Sequence, residues 1–118
     1  MEEKKKSVAR VVKDYSSPYH DSFSLKMGEE LSVSPKKSEW PGWIWCTNKD
    51  NESRWVPQSY IEIDGNKCRM LVDYNAVELP VREGETLTIL FEESDWGWCV
   101  NSRNEKGWVP LRNVRKTE

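Results

Sequence analysis

Histidine is nearly absent: His20 is the only one in 118 residues. That excludes most multi-histidine metal sites and any Ser-His-Asp set with an imidazole to spare. Cysteine is sparse and odd in number, with Cys46, Cys68 and Cys99 in no CxxC spacing. Such thiols suit a reducing compartment, so a cytoplasmic location is expected. No apolar run reaches ten residues, which leaves no membrane span. The charged start Met1–Lys6 leads into no long apolar stretch, so no signal peptide is read there. Excess charge is lacking too: 18 Lys+Arg face 20 Asp+Glu, a formal net charge of −2. Duplex nucleic acid and anionic lipid both demand a basic stripe that this balance does not supply. There is no GxGxxG or GxxxxGKS loop either. The expectation is a protein that is not an enzyme, with no catalytic, metal or cofactor-binding residues.

Aromatic residues are plentiful. Seven Trp, four Tyr and two Phe stand against a mean hydropathy of −0.83. The chain therefore has bulky apolar surface enough to fold despite 32% charged residues.

The sequence also repeats itself. Asp14-Tyr15 recurs as Asp73-Tyr74, an offset of 59, and Gly28-Glu29-Glu30-Leu31 recurs as Gly84-Glu85-Thr86-Leu87 at 56. Trp43-Ile44-Trp45-Cys46 recurs as Trp96-Gly97-Trp98-Cys99, and Trp55-Val56-Pro57 as Trp108-Val109-Pro110, both at 53. Order is kept while the offset falls twice by three, as two short deletions in the second copy require. The expected division is a disordered tail over 1–6, one unit over 7–63 and another over 67–116. Asp64-Gly65-Asn66 between them is a turn-forming tripeptide spanning at most roughly 10 Å.

Period-two alternation marks strands at 29–34, 43–47 and 85–90, with turns at 49–51 and 102–104. No window supports a helix of ten residues. Many short strands joined by polar turns predict an all-β fold of small barrels or sandwiches.

Each repeat resembles a Src-homology-3 (SH3) domain. The family's opening Ala-Leu-Tyr-Asp-Tyr reads here Val11-Val12-Lys13-Asp14-Tyr15 and Met70-Leu71-Val72-Asp73-Tyr74. Its Leu-Ser-Phe-x-x-Gly-Asp/Glu reads Phe23–Glu29 and Leu79–Glu85. Its closing Gly-aromatic-apolar-Pro-x-x-Tyr-Val reads Arg54–Ile61 and Gly107–Val114. The resemblance implies two five-stranded SH3-like β-barrels in tandem with a very short linker. Trp43 and Trp96 take the place of the family's binding-face tryptophan. Trp45 or Trp98 is the alternative register; strand alternation favours the former pair, leaving Ile44 and Cys46 to point inward. Cys99 is expected as core filler like Cys46, and Cys68 as an exposed or strand-start thiol.

The family's function, carried over, is recognition of extended proline-containing segments by an aromatic groove. Matching positions are Tyr15, Trp43, Pro57 and Tyr60 in the first repeat, with Asp21 in the acidic loop. In the second they are Tyr74, Trp96 and Pro110, with Glu78 as the acid. Lys13, Val72 and Asn113 replace groove tyrosines, so the first repeat is expected to be the better receptor. The implied partners are proline-rich or other extended protein segments, bound by an adaptor expected to be a monomer. The alternatives are a scaffolding pair that binds partners or self-associates through other surfaces, and a receptor for a non-proline ligand.

Overall fold

The computed structural model describes residues 6–17, 23–36 and 41–117. Among the described residues there are twelve strands: β1 (Ser7–Val11), β2 (Ser24–Leu25), β3 (Glu30–Val33), β4 (Trp43–Thr47), β5 (Ser53–Pro57), β6 (Ile61–Asp64), β7 (Lys67–Met70), β8 (Tyr74–Asn75), β9 (Thr86–Glu93), β10 (Trp96–Val100), β11 (Lys106–Pro110) and β12 (Val114–Lys116). Single 3₁₀ turns at Gln58–Tyr60 and Leu111–Asn113 are the only helical segments among the described residues. The all-β expectation holds. The turns near 49–51 and 102–104 stand where alternation breaks, with Asn51 and Asn104 both at φ 64, a region asparagine tolerates.

The strands form two five-stranded antiparallel sheets, ordered β5-β4-β3-β7-β6 and β11-β10-β9-β1-β12, with β2 and β8 as a separate pair. Among the described residues neither sheet closes on itself as a barrel would. The membership of the sheets is the finding. Strand β7 opens the second repeat yet lies between β3 and β6 of the first. Strand β1 opens the first repeat yet lies between β9 and β12 of the second. Each repeat has given its first strand to the other.

The compact units follow the sheets. One is continuous, Ser22–Ala76; the other is discontinuous, Met1–Asp21 with Val77–Glu118. They differ from the consecutive divisions 7–63 and 67–116 that the repeats predict, and a turn supplies the physical reason. Asp64 pairs directly with Lys67, so only Gly65 and Asn66 join β6 to β7. A two-residue turn between paired antiparallel strands makes those strands neighbours. The first strand of the second repeat is thereby held beside the last strand of the first. Gly65 has φ +65, the left-handed value that the first central position of such a turn requires.

Two cores result. In the discontinuous unit Ala9 and Val11 from β1 pack with Leu79, Val81, Leu87, Ile89, Cys99 and Val109. In the continuous unit the buried apolar residues include Leu25, Leu31, Cys46, Val56, Ile61, Cys68 and Met70. Cys46 is buried as expected, whereas Ile44 is half-buried. Cys68 is not exposed: it is 3% accessible, with its Sγ 3.9 Å from Cys46 Sγ. Placing β7 inside a sheet, rather than at the free start of a domain, buries it. All three cysteines are unpaired thiols. Burial raises each thiol pKa above its usual range, Cys99 to about 12.

Candidate functional site

The Asp-Tyr segments position the site, and each works for the other repeat. Asp14 Oδ1 accepts from Glu83 N at 2.6 Å, and Asp73 Oδ1 accepts from Met27 N at 2.8 Å. Both carboxylates hold the turn before a Gly-Glu pair. In those turns Gly84 N donates to Val11 O at 2.8 Å and Gly28 N to Met70 O at 2.7 Å. Two further bonds between Tyr15 and Val81, each 2.9 Å, fix Tyr15 against the second repeat.

Four expected site residues then meet in the discontinuous unit. Tyr15 is half-buried and meets Trp96 edge-on, with ring centroids 5.7 Å apart and planes at 82°. Trp96 on β10 lies directly opposite Pro110 on β11. The Tyr15 hydroxyl donates to Glu78 Oε1. Burial, reinforced by the Glu78 carboxylate, pushes the Tyr15 phenol above its usual pKa, so it stays a donor at neutral pH. Beside this pair lies a groove of about 1050 Å³ whose lining includes Tyr15, Glu78, Pro80, Arg82, Arg103 and Lys106. Tyr15 was expected beside Trp43; it stands beside Trp96 because β1 crosses to the second repeat.

Asn113 has a role in the structure beyond what the sequence reading gave it. It reads as a groove tyrosine lost. In the structure it is buried, and its Nδ2 donates to Lys13 O at 3.3 Å and Asp14 O at 3.1 Å. It clamps the arm that carries Tyr15. The signal was its single departure from the Pro-x-x-Tyr pattern, read as a loss of function rather than a gain of a contact.

In the continuous unit Trp43 lies opposite Pro57 on β5. Tyr60 meets Tyr74 edge-on at 5.5 Å, and the Tyr74 hydroxyl donates to Trp55 O at 3.0 Å. Tyr74 was expected with Trp96 and Glu78; it belongs instead to the unit holding Trp43, Pro57 and Tyr60. It is 6% accessible, while Trp43 and Trp96 are each 8%. Asp21 lies outside the described residues. Of the remaining tryptophans, Trp108 is buried as packing, whereas Trp55 is half-buried and meets Trp45 at 4.8 Å.

With this geometry in hand, comparison with known proteins identifies the first repeat. A variant SH3 domain is found at residues 8–64. The match follows the sequence repeat rather than the compact unit. The chain is 25% identical over 122 residues to an SH3 and F-BAR domain-containing protein of Dictyostelium discoideum, covering 92% of the chain and 23% of that protein. It is 36% identical over 59 residues to Myosin-1 of Aspergillus terreus, covering 49% of the chain and 5% of that protein. The chain thus spans less than a quarter of either relative's length. No solved structure matches it significantly. The SH3 match and these relatives support a protein-interaction module, from a family that is typically non-catalytic. Among the described residues no group of three His, Cys, Asp or Glu could hold a metal, and no helix is long and apolar enough to cross a membrane.

Proposed function

We propose that the chain binds an extended, proline-containing segment of a partner protein against the face formed by Tyr15, Trp96 and Pro110. The observation that carries this reading is the edge-on Tyr15–Trp96 pair at 5.7 Å with Glu78 beside it. A polyproline II segment is ordered before it binds, so docking costs it little conformational entropy. Its x-Pro ridges pack against aromatic rings, which offer broad apolar faces. Glu78 and the exposed Asp95 supply the negative charge that selects a flanking Arg or Lys. Trp43, Pro57, Tyr60 and Tyr74 form a second candidate face in the continuous unit. Three unpaired thiols suit a reducing compartment, which the cytoplasm provides.

Two observations favour a second reading, a scaffold that holds partners elsewhere. Trp43 and Trp96 are each only 8% accessible, and the Tyr74 hydroxyl is spent on a backbone carbonyl. An amide NMR titration with proline-rich peptides carrying Arg at either end separates the two. Shifts at Tyr15, Glu78 and the Trp96 indole establish the receptor. Flat spectra at millimolar peptide refute it and leave the scaffold.

A further inference from the structure

We propose that the Ser7–Tyr15 arm also docks onto a second copy of this chain, giving a dimer in which the partner copy supplies the Tyr15 of each Trp96 face. The inference rests on strand pairing and not on the ligand of the face. Both pairing edges of β1 are taken by strands of the second repeat, β9 and β12. Its place in its own repeat, between β3 and β6, is filled by β7. The tight Asp64–Lys67 hairpin keeps β7 there. An undocked arm therefore fits only the slot between β9 and β12, in its own chain or in another. Another copy offers that slot with the same buried plugs, Ala9 and Val11, and the same clamps at Glu83 and Asn113. The Trp96 face is incomplete until an arm arrives, since Tyr15 is one of its walls. Exchange of an identical element is a low-cost route to dimers, because every contact is conserved. What differs is the effective concentration of the arm at the slot of its own chain, so the dimer gains as chain concentration approaches that value.

A thiol at position 9 reads the arm directly. Cys68 lies opposite Leu31 and Cys46 opposite Val33; Ala9 lies opposite Leu87 and Cys99 opposite Ile89. By the repeat, A9C stands to Cys99 as Cys68 stands to Cys46. The A9C chain is refolded at micromolar and at millimolar concentration, oxidised with diamide, and run on a non-reducing gel with peptide mapping. Links from position 9 to Cys99 that join two chains, at least tenfold more abundant at millimolar, are expected. The Cys46–Cys68 link, within the continuous unit, stays inside one chain as the internal reference. Position 9–Cys99 links confined to single chains at both concentrations overturn the proposal. Should A9C not fold, light scattering on the unmodified chain decides. A dimer formed at millimolar that survives dilution until urea unfolds it supports arm exchange; a monomer throughout, or a dimer that dissociates at once, overturns it.

Discussion

Asn113→Ala tests the arm clamp most sharply, because the two possible arrangements of first strands place its damage in different segments of the sequence. Only the two side-chain bonds are lost, to Lys13 O and Asp14 O. The backbone bonds from Val12 N and Lys13 N to Asn113 O, at 2.8 and 3.3 Å, survive the substitution. At about 1 kcal/mol net per hydrogen bond the loss is about 2 kcal/mol. That is roughly 30-fold in the equilibrium for opening the arm. Hydrogen exchange reads such local opening amide by amide. The amides to follow are Val11, bonded to Glu85 O, and Tyr15, bonded to Val81 O, both at 2.9 Å. The controls are Met70, bonded to Glu29 O at 2.9 Å, and Leu71, bonded to Tyr60 O at 2.8 Å. Exchange should quicken at Val11 and Tyr15 and stay unchanged at Met70 and Leu71. The reverse pattern would refute the reasoning, since Asn113 would face the 70–72 segment if each repeat kept its own first strand.

Three other outcomes are expected. Burial raises the thiol pKa values, Cys99 to about 12 from an ordinary 9.0, so the folded chain holds these protons more tightly than the unfolded one. That contribution is complete below about pH 9 and is lost as pH rises toward 12, so the urea midpoint should fall between about pH 8 and 10.5; a flat profile contradicts it. Mild oxidation of the unmodified chain should give a Cys46–Cys68 disulfide by peptide mapping, because those sulfurs are 3.9 Å apart; a Cys68–Cys99 link would mean that β7 sits in the other sheet. Gly65→Val should cost about 1–2 kcal/mol by chemical denaturation, the penalty for a side chain in the left-handed region. At Gly65 a Cβ meets nothing within 4 Å, so the cost is purely one of backbone, and a negligible effect would remove the turn from the explanation.

Much of the fold was legible because local chemistry dictates it. Alternation in Trp43–Thr47 marked β4 to the residue, and Asp64-Gly65-Asn66 announced a turn. The SH3 resemblance also named Tyr15, Glu78, Trp96 and Pro110, which meet in one unit. What it did not reveal was which copies pair. Val11 and Met70 are repeat equivalents, both apolar and both suited to a slot between two strands, so composition does not discriminate between them. The decision lies in chain connectivity: a two-residue turn makes β6 and β7 neighbours and leaves β1 to pair elsewhere. For the same reason Tyr15 and Tyr74 were each assigned to the wrong tryptophan. The contacts of Asn113 were not legible because its partners, Lys13 O and Asp14 O, lie about a hundred residues away in sequence and nothing local points to them.

The central claim is the reciprocal exchange of first strands, and cross-strand NOEs on the labelled chain test it most directly. The exchanged arrangement predicts contacts between Ala9 and Leu87 and between Cys68 and Leu31, the pairs that face one another across β1–β9 and β7–β3. Contacts between Ala9 and Leu31 and between Cys68 and Leu87 would contradict it, because they place each first strand in its own repeat.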